Sequence, residues 1–348
     1  MFYRYFPFWK AFFEALGWEV VLSGGVEKKG KIIYFEDSCL PMKLLVTHAS
    51  NLANQVDHLF VPRLISLHRK YILCPKFRAA PDIIRLALEK KVSILDETID
   101  FRTKKHSLRM AFSKLGEKLG SPSKTVRAAF SKAEQLFSVF QKEWIDRINE
   151  LPTKDLYDLD VPTPLHKVSP PLAGGDSGEG AIEGGGWSMG FPENKEAPLR
   201  VAFIGHPYNL FDIDINKDIL GLAKRLGMKI VTSDLLSEEI MEREISHLSK
   251  EIYWSSGREI VGSLFHFLSE GVDGVVFVTS FKCGIDALLQ EFAKRMMRIR
   301  GGSSAPFLAL SFDEHTGREG LTTRLEAFRD VMEERKNQAL NSKHPIPS

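Results

Sequence analysis

Cys39, Cys74 and Cys283 are the residues of this 348-residue chain best suited to chemistry. Thiolates bind soft and borderline metals and act as nucleophiles, whereas a lone cysteine at an ordinary position is a small buried hydrophobe. Shared surroundings separate these three from the ordinary case. Cys39 follows "KIIYFEDS", Cys74 ends "KYILC" and Cys283 follows "VVFVTSFK", so each stands at or just past the end of an apolar, β-forming run. In open α/β sheets the carboxyl edge is where ligands bind. "LPMKLL" after Cys39 and "GIDALL" after Cys283 are helix-compatible, and the N–H groups at a helix start stabilise a thiolate. Pro41 and Pro75 stiffen two of the turns, Gly284 allows close backbone approach, and Lys43 and Lys76 add positive charge that helps hold an anionic cluster.

The cysteines are 35 and 209 residues apart, with no pair of the C-x-x-C type. Structural zinc normally takes four ligands at short local spacings. Dispersed thiols do not forbid it, and they suit an iron-sulfur cluster with an open corner at least as well, so spacing leaves the metal undecided. Three thiols cannot pair off evenly, and a disulfide framework is not expected in a chain this large.

Two further clusters follow apolar runs. "FIGHPYNLFDIDIN" carries His206, Tyr208 and Asn209, and "LSFDEHTGREG" carries Asp313, Glu314 and His315. An Asp/Glu/His trio can ligate metal or move protons, or it can cap a helix and tie down a turn; both readings stand. The stretch "GVEKKGKI", Gly25 to Ile32, matches phosphate-loop spacing except at its last position. There Ile32 replaces the required hydroxyl, and a strand pattern follows where the phosphates need a helix start. Any dependence on ATP would therefore run through a partner.

These residues need scaffolding to position them. Strand character appears at residues 18–23, 31–37, 58–64, 70–74 and 92–97, alternating with helix-like segments, and Phe8, Phe12 and Leu16 recur at helical spacing before Gly17. The alternation predicts an N-terminal α/β domain over residues 1–103. Residues 104–167 read as a helical segment, and residues 101–147 hold 11 Lys or Arg against 4 Asp or Glu. Such a stretch suits a solvated face, an acidic partner, RNA or ligand phosphates. Residues 168–198, rich in glycine and proline without periodicity, read as a flexible linker. Alternation resumes over 199–338 as a C-terminal α/β domain. The whole is α/β, two Rossmann-like domains with mostly parallel sheets. Net charge is +2, which argues neither for a nucleic-acid protein nor for an acidic scaffold, and nucleic acid is not the expected partner. Arg4, Lys10 and Glu14 interrupt the apolar opening, so it reads as helix rather than signal peptide, and no run spans a membrane. A cytoplasmic location is expected.

The ordered blocks "PFWKAFFEALGWEVVLS", "DSCLPMKL", "HLFVPRL", "YILCPKF", "GHPYNLFD", "YWSSGREIVG", "FKCGIDAL" and "DEHTGREGLTTRLEAF" together resemble the 2-hydroxyacyl-CoA dehydratase D-component family, in its stand-alone, activase-related branch. The resemblance implies paired Rossmann-like domains around a four-iron, four-sulfur (4Fe-4S) cluster, with its ligand positions on Cys39, Cys74 and Cys283. It implies a separate ATP-hydrolysing activase that injects a low-potential electron for radical dehydration of an acyl-CoA, or for reduction of small molecules in related proteins. His206, Glu314 and His315 are then catalytic candidates, and Lys43, Lys76, Tyr208, Asn209 and Gly284 cofactor-binding ones. The chain departs from the family pattern at Lys282 and Ile285, where glycine and proline are usual, and at Thr47-His48, where Gly-His is usual. The expected function is an iron-sulfur protein that accepts activase electrons. A catalytic dehydratase subunit and a metal-stapled interaction protein are the alternatives, and a homo- or heterodimer is a further expected assembly.

Overall fold

The computed structural model describes residues 2–23, 38–88, 92–150, 198–299 and 305–343. The N-terminal part runs α1 (Phe2–Ala15), α2 (Leu40–Leu52), β1 (His58–Phe60), β2 (Arg63–Ser66), α3 (Pro75–Ala87), β3 (Ser93–Leu95), β4 (Thr98–Asp100), α4 (Leu108–Lys118) and α5 (Ser123–Glu150). Then follow β5 (Arg200–Gly205), α6 (Pro207–Phe211), α7 (Ile213–Asn216), α8 (Ile219–Arg225), β6 (Lys229–Thr232), α9 (Glu238–Ile245), α10 (Ser255–Ser269), β7 (Gly274–Ser280), α11 (Gly284–Ile299), β8 (Phe307–Phe312) and α12 (Arg318–Lys343). No described helix is long and apolar enough to cross a membrane.

The architecture is α/β with parallel sheets throughout. In the C-terminal part the order is β6-β5-β7-β8, every pair parallel. Side chains alternate across that sheet, as a two-residue period requires. Val201, Phe203, Val276, Val278, Leu310 and Phe312 share one core with α8 and α12, and Ala202, Ile204, Val275 and Phe277 share another with α10 and α11. All seven residues of β7 are buried, which is why that strand reads as a continuous apolar run.

The N-terminal part is more fragmented than its sequence suggests. β1 pairs with β3 and β2 with β4, each a two-stranded parallel ladder. The expected strand at 58–64 is broken between Phe60 and Arg63, and that at 70–74 shrinks to one bridge between Ile72 and Trp254. The strand expected at 18–23 does not form. Its Trp18 and Val20 instead pack against a core of Phe8, Phe12, Phe112 and Phe130 from α1, α4 and α5, an apolar contact that needs no ladder. The strand expected at 31–37 and the stretch Gly25 to Ile32 lie outside the described residues, as does the expected linker up to residue 197. α1 does form, and Gly17 ends its turn with φ +87°, a conformation that costs glycine little.

Candidate metal centre

The strand order places the site. β5 connects outward to β6, and the chain then returns to lay β7 on the other side of β5, so the crevice beyond the carboxyl ends of β5 and β7 is the switch point where such sheets bind ligands. His206 directly follows β5. Cys283 lies three residues beyond β7, reached through Lys282, which adopts a left-handed φ of +63°.

Four of the residues singled out by type sit immediately before helices. Cys39 is the N-cap of α2, Cys74 of α3 and His206 of α6, and Cys283 precedes α11. Cys39 and His206 have extended backbone, and all of the first three are followed by a proline (Pro41, Pro75 and Pro207) and make no side-chain cap hydrogen bond, so thiol and imidazole are not spent on the helix.

The ligand atoms of His206, Cys283 and Asp286 lie within 4.8 Å of one another. His206 Nε2 is 2.8 Å from Asp286 Oδ1. The other oxygen, Asp286 Oδ2, accepts from Ser280 N and Asn209 Nδ2, both at 3.1 Å, and Ser280 Oγ donates to Asn209 Oδ1 at 2.6 Å. Asp286 and its three partners are all buried. Burial would raise the Asp286 carboxyl, but His206 and these hydrogen bonds hold it below the ordinary value. Gly205 permits the close approach of the strands just before His206, because a Cβ there would lie 2.5 Å from Val278 O.

Burial, then Asp286, then Cys39 and Cys74, push the Cys283 thiol up to about 12 against the pull of the Asp286 N–H. Burial first, with Cys39 and Asp286 adding to it, also raises Cys74, although the Lys76 N–H and charge oppose the rise. The Tyr208 ring stacks on His206 at 4.8 Å, and its phenol is raised well above normal by burial, then Asp286, then all three thiols. The cysteines therefore face a common region, and Cys39 packs in one core with Cys283 at its edge.

A four-iron, four-sulfur cluster on these thiols is nevertheless overturned as an expectation. Among the described residues, the group whose ligand atoms close on one another contains one cysteine, with His206 and Asp286, whereas that cluster needs four ligands. Cys39 and Cys74 stand outside the group. The residues brought together do not fit the cluster.

Other expected residues are dispersed. Lys43 is buried and its Nζ lies 2.7 Å from Glu314 Oε1, which joins α2 to the turn after β8. His315 is exposed, and its N–H donates to Asp313 Oδ1 at 3.0 Å, the turn-tying role. Gly284 is also exposed, and a Cβ there would meet nothing within 4 Å, so no close approach requires glycine. Asn209 is fully buried as a support for Asp286. Sequence reasoning missed Asp286 and Ser280. The available signal was the Cys-x-x-Asp spacing at the start of α11, where an acid is favoured by the helix dipole and escapes notice for that reason.

No curated protein matches the chain. A family model does, over residues 1–236, a span that takes in Cys39, Cys74, His206 and Tyr208 and stops short of Cys283 and Asp286. With more than half its length so matched, the chain belongs to the CoA enzyme activase uncharacterised domain (DUF2229) family.

Proposed function

We propose that this chain is a metal-dependent partner of an ATP-hydrolysing activase, accepting low-potential electrons from it at a centre resting on Cys283, His206 and Asp286 and passing them on in reductive chemistry. The reading is carried by the meeting of thiol, imidazole and carboxylate at the sheet's switch point. Membership of a CoA-enzyme-activase family supports the partner.

A ligand set of sulfur, nitrogen and oxygen suits a borderline divalent ion, iron or zinc, over calcium or magnesium. Bound iron would supply a one-electron acceptor. Cys283 and His206 are the residues that would hold the ion. Asp286 would either join them or orient the imidazole from behind, as carboxylates commonly do beside ligating histidines. Tyr208, stacked on His206, covers one side of the imidazole. Cys39 and Cys74 offer further thiols from adjoining helix starts.

A second reading, a metal that only ties the turn after β5 to the start of α11 without taking electrons, is favoured by the complete internal hydrogen bonding of Asp286. Metal analysis of anaerobically purified protein, with electron paramagnetic resonance before and after addition of activase and ATP, separates the two. About one iron per chain that changes oxidation state and is lost in Cys283→Ser supports electron acceptance. Stoichiometric zinc, or iron that never changes state, defeats it.

A further inference from the structure

We infer that the outer face of α5, with the groove it forms against α1, is the docking surface for an acidic, apolar-striped helix of the partner protein. Residues 101–141 hold nine Lys or Arg against two Asp or Glu, so this lobe carries +7 in a chain whose total is +2. Arg102, Arg109 and Lys118 are matched by Asp100, Glu134 and Glu97. Lys104, Lys105, Lys114, Lys124, Arg127 and Lys132 have no ion-pair partner among the described residues. A solvated helix normally interleaves both signs; an uncompensated lobe attracts an anionic surface and sets the rate and orientation of encounter.

The apolar part of the face argues for protein. Lys132, Leu136 and Val139 recur at i, i+4 and i+7 on α5, and Leu136 and Val139 are about half exposed. Lys132 and Leu136 border a groove whose far wall is Phe6, Pro7, Ala11 and Ala15 of α1 with the Lys10–Glu14 ion pair, which leaves Lys132 as the unpaired charge lining it among the described residues. A concave strip with cations at its rim is the form that receives an amphipathic helix. Nucleic acid would call for a row of exposed aromatic platforms, but Phe112 and Phe130 of this lobe are buried, and Phe101 is its one exposed phenylalanine among the described residues. A membrane would call for a convex apolar ridge.

This inference rests on the activase partner named above, and the experiment separates the two. Binding of purified activase to the full chain is measured at about 50 and about 300 mM salt. The wild type is compared with Lys124→Glu/Arg127→Glu/Lys132→Glu and, separately, with Leu136→Asp, with circular dichroism reporting folding. All four positions are exposed, so the variants are expected to fold. The inference expects at least about tenfold weaker binding in each variant, and weaker wild-type binding at high salt. Wild-type binding that the variants share, or no wild-type binding, overturns it. So does tighter binding to phosphatidylglycerol vesicles or to a single-stranded RNA. Electron transfer unaffected by the substitutions sinks the docking surface and spares the proposed function. Face-dependent binding without electron transfer does the reverse.

Discussion

Lys43 Nζ, on α2, lies 2.7 Å from Glu314 Oε1, in the turn after β8, with the two side chains 4% and 15% exposed. Elements more than 270 positions apart in the chain are thereby tied together one helical turn from Cys39. Thr47 adds to the local order by donating to Lys43 O at 2.9 Å.

Lys43→Met should destabilise the protein by about 3 kcal/mol, because a carboxylate is left largely withdrawn from water without its cation. Burial would raise the Glu314 carboxyl, but the hydrogen bond from Lys43 draws it below its usual value. Its stabilising contribution is therefore complete above about pH 4.3, the unfolded value, and is lost as pH falls through the lower folded value. Urea titrations of both proteins from pH 7 down to pH 3 check this: the difference in stability should shrink on acidification.

Asp286→Asn should cost about 3 kcal/mol and weaken metal binding. The carboxylate accepts at both oxygens, from His206 on one and from Ser280 N and Asn209 on the other, and an amide must present a donor to one of those sides. Asp286 is held below its usual value, so its contribution also persists above about pH 3.9 and disappears as pH falls. Chemical denaturation at pH 7 and pH 4 tests the sign. A variant as stable as the wild type at pH 7 would refute the network's importance.

Lys282→Gly should stabilise the fold by about 1 kcal/mol. Lys282 sits at φ +63°, where a Cβ is crowded and glycine is not. Thermal melting gives the answer, and a lower melting temperature would mean that the side chain has contacts worth more than the strain.

Cys283 should be a sluggish nucleophile in the metal-free protein. With its thiol pushed up to about 12, the thiolate fraction falls about tenfold for each pH unit below that value. Iodoacetamide labelling resolved by mass spectrometry should therefore quicken steadily from pH 7 to pH 10, and metal affinity should rise over the same range because binding must release that proton. Rapid labelling at pH 7 would contradict the burial and the Asp286 neighbour that the prediction rests on.

Local signals explain how much of the site is legible from residues alone. The helix-forming residues after Cys39 and Cys283, with Pro41 and Gly284 among them, announce two helix starts, and both helices exist, whereas the helix starts at Cys74 and His206 emerge only in the structure. The apolar runs of β5, β7 and β8 are likewise self-announcing, because a strand buried on both faces must be apolar throughout. Residues 18–23 mislead for a related reason: Trp18 and Val20 are apolar in order to pack on aromatic rings, and the same residue types would serve a ladder equally well.

The sequence by itself determined the α/β class, the parallel C-terminal sheet, the placement of Cys39 and Cys283 near helix starts, and that of His206 just past a strand, since caps, breakers and hydrophobic periods act over a turn or a strand. Only the tertiary structure decided which of those groups meet. His206 and Asp286 become neighbours because β7 pairs beside β5, bringing residues 80 positions apart to one crevice. The same packing selects Cys283 for that group and leaves Cys39 and Cys74 at its border. A contact made by strand pairing depends on the energy of the whole sheet, and no short stretch of residues carries that information.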